Sequence, residues 1–317
     1  MTGRPGLGRV ALVLGTGVIL ALLPGIFGTG IYSLRITTLM LVMIIYTVAF
    51  NIIFGHTKQL FLCLGALAGL SAYLSVILMR ELKLAPAAAV AVGTLGAGAL
   101  GALLSYVAAR RGLGIIFVGI VTLVVSLIFQ NLLLGLRRYT NGETGIVTQG
   151  LGFGLAGHTA AAYYVFLVLL VLALWVYQWL MAGRPGLAFG ALSEDELTAE
   201  LAGIDVTRYK VLAATVGSGL IGLAGALFAD FNEFISPSIF SLAHVDIVVL
   251  IALLLGGMRT LLGPVIGAAA FTLIDELVRP FGQATVLAYG VLLIVLFLAF
   301  REGLVPFLRR LTRIPVP

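Results

Sequence analysis

The sequence contains a single cysteine, Cys63, in 317 residues. A lone thiol forms no intrachain disulfide and no multi-cysteine metal site. The three histidines, His56, His158 and His244, lie far apart with no H-E-x-x-H spacing, so no helical zinc pair is encoded. Charge is scarce: Asp, Glu, Lys and Arg together make up 10% of the chain. None of Lys58, Lys83 or Lys210 follows a glycine. The G-K-[ST] phosphate loop is therefore missing, and ATP hydrolysis by this chain goes with it. Gly69-Leu70-Ser71 is followed by Ala72, which fails as an intramembrane serine-protease motif. These absences argue against an enzyme and against any metal or organic cofactor.

What the chain has in excess is apolar surface. Hydrophobic residues make up 61% of it, and the mean hydropathy is +1.16. That is far more than a soluble core needs, and it predicts an all-α, polytopic membrane protein forming one domain over residues 1–317. Forty glycines among such residues point to close helix packing. The net charge of +6 is spread over the ends of apolar runs, a topology signal and not a nucleic-acid surface.

At about 20 apolar residues per span, the candidate segments are 10–27, 36–54, 59–79, 84–108, 114–136, 161–181, 210–230, 245–258, 261–278 and 284–300. The first resembles a signal peptide, but Pro24-Gly25-Ile26-Phe27 offers no small-x-small cleavage site, so it reads as an uncleaved span. The segments on either side of residues 256–264 read as a re-entrant or broken pair. The expectation is thus about 8–10 transmembrane helices.

One hydrophilic island, residues 183–210, interrupts this pattern. It holds Glu194, Asp195, Glu196, Glu200 and Asp205, five of the 13 acidic residues. Ser193 and Glu196 fit an S-x-x-E capping box, and Gly203 supplies a stop. Between them, Leu197 and Leu201 form one i, i+4 edge and Glu196 and Glu200 another. The spacing predicts a short amphipathic helix for docking a protein, with a solvated loop as the alternative. An acidic helix has no attraction to anionic lipid. With the island cytoplasmic and the segments alternating, 13 of the 19 Lys and Arg residues fall inside and 6 outside. That distribution obeys the positive-inside rule and puts both termini in the cytoplasm.

Polar residues inside the spans are the candidates for a translocation path. Thr122, Ser126 and Gln130 recur every four residues, and Thr47 and Asn51 are also four apart. Buried polar groups in hydrocarbon face a wet cavity or other helices. The alternative is interhelical glue or bonding to the i−4 carbonyl. The acids Glu143, Asp230, Glu233, Asp246, Asp275 and Glu276 lie near expected outer ends of segments and read as solvated.

Several blocks together resemble the permeases of the branched-chain amino acid (Liv-type) family of ATP-binding-cassette importers. They are Ala49-Phe50-Asn51-Ile52-Ile53-Phe54-Gly55 with Gln59-Leu60, Gly119-Ile120-Val121-Thr122-Leu123, residues 140–145, Ile235-Ser236-Pro237 and residues 256–268. The island resembles that family's cytoplasmic "EAA" loop, and the order and spacing are similar to the M-type subunit more than the H-type. Phe61, Leu64 and Ser193 depart from the family's usual serine, histidine and arginine. The resemblance implies an importer permease in the inner or plasma membrane. Its partners would be ATPase subunits, a second permease of H-type or similar, an extracytoplasmic solute-binding protein and the lipid bilayer, with no nucleic acid. It implies that Ser193, Glu196, Leu197, Glu200, Leu201 and Gly203 couple to the ATPase. The solute would be a branched-chain amino acid or a relative such as another amino acid, an amide or urea. The alternative is a stand-alone, ion-coupled secondary transporter, which would carry buried acids near the midplane.

Overall fold

A computed structural model of the chain describes residues 13, 15–22, 30–148, 155 and 158–278. The segment expected at 284–300, both ends of the chain and part of the loop after residue 148 lie outside the described residues.

Among the described residues, six helices are long and apolar enough to span a bilayer. Helix α1 (Ile31–Phe50) runs on through a π-helical turn, Asn51–Gly55. After an irregular stretch come α2 (Leu64–Leu82), α3 (Pro86–Arg110), α4 (Ile115–Gly135) and α5 (Thr159–Ala182). The island carries α6 (Arg184–Glu194) and α7 (Glu196–Leu201), and α8 (Val206–Asn232) is the sixth span. A π turn, Leu242–Asp246, leads into the short α9 (Ile247–Gly256), and α10 (Gly263–Val278) follows. The chain is an all-helical, multi-pass membrane protein. Helices dominate because each one satisfies its own backbone polar groups, which a bilayer cannot do.

Local signals set the ends. Pro86 opens α3 at a position where its missing N–H costs nothing. Asp205 caps α8 by accepting from the Arg208 amide. On the face opposite the island, β1 (Ile146–Val147) pairs antiparallel with β2 (Phe234–Ile235) and clips together the loops that follow α4 and α8.

Small residues decide how the spans pack. Helix α8 lies against both α2 and α3. A Cβ on Gly225 would stand 2.5 Å from the Ala68 carbonyl oxygen, and one on Gly222 would stand 2.6 Å from the Ala97 methyl. Backbones this close gain dispersion contacts that lipid cannot supply. Helix α1 packs against both α5 and α10. Large apolar side chains on α4, among them Ile116, Phe117, Ile120, Val124 and Ile128, point outward and are exposed.

Candidate functional site

The island folds as two helices, not one capped helix. Ser193 sits in the last turn of α6, where its hydroxyl donates to the Gly190 carbonyl at 2.8 Å. The cap of α7 is Asp195, whose Oδ1 accepts from the amides of Leu197 (2.8 Å) and Thr198 (3.3 Å). The Ser193–Glu196 capping box therefore does not form. Extended backbone at Asp195 (φ −149, ψ 120) starts a new helix two residues later than that motif does. The bonds from Thr198 and Leu197 hold the Asp195 carboxyl below its usual value. The cap is thus complete at neutral pH and is lost only as pH falls through that lowered value. Gly203, at φ +82, ends the element in a left-handed conformation.

Glu196, half-exposed, is engaged within the chain. Its Oε2 accepts from Lys210 Nζ at 2.6 Å, with the lysine side chain only 8% exposed, so α7 is tied to the first turn of α8. Glu200 stays exposed. Leu197 and Leu201 stand out from the protein, 65% and 82% exposed, while Ala199 packs inward. Two adjacent leucines this bare on a hydrophilic loop form a compact apolar edge.

The end of α6 is fastened to the spans by Arg259, in the loop between α9 and α10. Its Nε donates to the Gly55 carbonyl at 3.0 Å and its Nη2 to the Ser193 carbonyl at 3.1 Å. Both acceptors lie at helix C-termini, where orphan carbonyls and the helix dipole favour a cation. The backbone of this loop is pinned in turn by Asn51. The Arg259 amide donates to Asn51 Oδ1 at 2.9 Å, and Asn51 Nδ2 donates to the Thr260 carbonyl at 3.0 Å. Arg259 itself has a left-handed backbone (φ 62), so these bonds hold a conformation the chain would not choose alone. Lys58 Nζ adds a longer contact to the Glu194 carbonyl, 3.4 Å.

The polar residues of the spans divide into satisfied and unsatisfied. Thr47 bonds the Met43 carbonyl four residues back, at 2.7 Å. Thr122 bonds Val118 in the same way and also holds the irregular stretch, accepting from the Leu62 amide at 2.9 Å. Asn51 and Thr122 are thus engaged with different segments, residues 259–260 and 60–62. Ser126 Oγ and Gln130 Nε2 are buried with no hydrogen-bond partner. Asp230 and Asp246, expected as solvated ends, are both fully buried. Counting apolar residues put the start of a span near Asp246, whereas Pro237–Phe240 is already buried at Pro237 and Phe240 and carries the chain inward before it. Among the described residues, no group of three or more His, Cys, Asp or Glu is placed to hold a metal ion.

Residues 32–300 match the family model for the branched-chain amino acid transport system, permease component. The chain belongs to this family. The permease is 30% identical over 304 residues to the high-affinity branched-chain amino acid transport permease LivM of Escherichia coli K12, covering 87% of this chain and 71% of that one. LivM of Salmonella typhimurium LT2 is 29% identical over the same shares. A probable LivH permease of Methanocaldococcus jannaschii is 24% identical over 223 residues, 68% of this chain and 70% of its own. No solved structure matches the permease.

Sequence reasoning about the permease missed three residues that organise the site. Asp195 was legible in principle, since Asp is as good a cap as Ser and stands directly before α7. Arg259 and Asp246 were not. Their partners are more than 60 residues away in sequence, and no local spacing records such contacts.

Proposed function

We propose that the chain is the transmembrane permease subunit of an ATP-binding-cassette importer for branched-chain amino acids or related small solutes, including other amino acids, amides and urea. The observation that carries this is the family match across residues 32–300. In this reading α6 and α7 form the coupling element. Leu197 and Leu201 enter a groove of the ATPase, Glu200 meets basic residues at its rim, and Ser193, Glu196 and Gly203 fix the element's shape. Nucleotide-driven movement of the ATPases reaches the spans through Arg259, and the helices alternate between outward and inward access. The path runs among the spans carrying Thr47, Asn51, Thr122, Ser126 and Gln130, with Ser126 and Gln130 presenting the polar atoms that lack partners. The island and both termini are cytoplasmic, in an inner or plasma membrane, and β1 and β2 lie outside, where an extracytoplasmic binding protein delivers solute. A second permease, H-type or similar, completes the pore.

A buried acid is a mark of ion-coupled transport, so Asp246 removes the contrast that the sequence drew with a stand-alone secondary transporter. The family match favours the importer instead. Affinity purification of the tagged chain from its native membranes should bring down an ATPase with a G-K-[ST] loop and a second permease. A chain that purifies alone, with no nucleotide-binding partner under mild solubilisation, would contradict the importer.

A further inference from the structure

Asp246 is 0% exposed, and its two carboxylate oxygens have different surroundings. Oδ1 accepts from the amides of Leu64 and Gly65, the latter at 3.3 Å, and so caps the N-terminus of α2. Oδ2 is buried and has no partner. No described basic side chain forms an ion pair with it. Ten helical residues, about 15 Å, separate Asp246 from the loop that Arg259 ties to the island. In a hydrocarbon layer of about 30 Å, that places the carboxylate near mid-depth. Two interrupted helices meet there, α2 after its irregular approach and α9 after its π turn.

Ser126 lies at the same depth on α4. Thr122 accepts from the Leu62 amide at 2.9 Å. One face further along, Phe129 lies beside Gly69, where a Cβ would stand 2.7 Å from its Cε1. Thr122, Ser126 and Phe129 are all buried, at i, i+4 and i+7 on one face of α4, which climbs alongside α2. Ser126 is therefore level with the first turn of α2, beside Gly65, and a Cβ on Gly65 would be 3.3 Å from Asp246 Oδ2. Its hydroxyl, like Oδ2, has no partner. Phe129 and Phe240 close the space above it.

We propose that Asp246 Oδ2 and Ser126 Oγ form a mid-membrane binding site for the ammonium group of a zwitterionic amino acid. The assignment rests on the importer reading above and adds the residues that recognise the solute. A half-satisfied carboxylate in a dry core carries a large desolvation penalty, and an N–H-bearing cation relieves it with charge-assisted hydrogen bonds. The hydroxyl takes a second ammonium proton, and the phenylalanines meet the apolar side chain. The site is closed here and opens as the helices part during transport.

Asparagine at 246 keeps an oxygen acceptor for the Leu64 and Gly65 amides and removes only the charge. In proteoliposomes holding the whole transporter with its binding protein, Asp246→Asn should cut uptake of radiolabelled leucine by roughly tenfold or more, with the yield of assembled complex unchanged. Ser126→Ala should raise KM by about threefold to tenfold. Radiolabelled leucine bound to the purified complex without binding protein should be displaced by leucinamide, which keeps the ammonium, and not by 4-methylpentanoate, which lacks it. Asp246→Asn should abolish that preference. Uptake within twofold of wild type in Asp246→Asn would overturn the site. Loss of assembled complex in that variant would assign Asp246 to the fold and overturn it too. If the wild-type transporter moves no leucine, the solute reading itself fails, and the site falls with it.

Discussion

Replacing Arg259 with alanine should leave the ATPase bound and cut solute uptake by roughly tenfold to a hundredfold. Its guanidinium joins the end of the α1 π turn to the end of α6 through the Gly55 and Ser193 carbonyls, and the longer Lys58 contact to Glu194, 3.4 Å, is the weaker tie beside it. Hydrogen bonds to a charged group contribute about 1.5–3 kcal/mol where water is excluded, and Arg259 is exposed, so the pair together contributes about 1–3 kcal/mol. One to two factors of ten in the coupling equilibrium correspond to that range. The proposed docking edge lies on α7 and does not include Arg259, so assembly should survive. Arg259→Lys should recover little, because a point-charge ammonium cannot hold two carbonyls at once as the planar fork does. Hydrolysis and uptake measured on the same proteoliposomes check this. The expected outcome is more ATP spent per solute moved. An unchanged ratio would show that the tie is a passive surface contact.

The second large effect is expected from Leu197→Ala combined with Leu201→Ala. Burying two leucines in a partner contributes on the order of 3–6 kcal/mol before the costs of association. A rim ion pair at Glu200 contributes only about 0–1 kcal/mol. Glu196 adds less to the partner, because Lys210 already holds its carboxylate. The double leucine change should release the ATPase during purification or abolish solute-stimulated hydrolysis. Glu200→Gln should be mild and milder still in high salt. The reverse ordering, a silent leucine pair and a severe charge change, would move the docking face to the other side of α7.

The spans were legible because hydropathy and length suffice to find a helix that must satisfy its own backbone in lipid. The expected segments 84–108, 114–136 and 161–181 meet α3, α4 and α5 within a few residues. The island was legible for the same reason in reverse, since five acids interrupt an apolar chain. Its internal design was less so. The capping-box spacing at Ser193 and Glu196 competed with a better local cap at Asp195, and Glu196 went to Lys210, 14 residues away. Thr47 and Thr122 show why a polar stripe is ambiguous: each hydroxyl bonds a carbonyl of its own helix, which a period-four pattern cannot distinguish from a path. The burial of Asp246 was not legible because it depends on the chain turning inward after β2, a tertiary event that hydropathy does not encode.

The most direct test of the importer reading is leucine uptake into proteoliposomes that contain the permease pair and its ATPases. Loaded binding protein would be outside and ATP inside, with every ion gradient collapsed. The account predicts uptake that requires both ATP and the binding protein and stops when the ATPase lysine of the G-K-[ST] loop is replaced. Uptake that proceeds without ATP and follows an imposed proton or sodium gradient would contradict it.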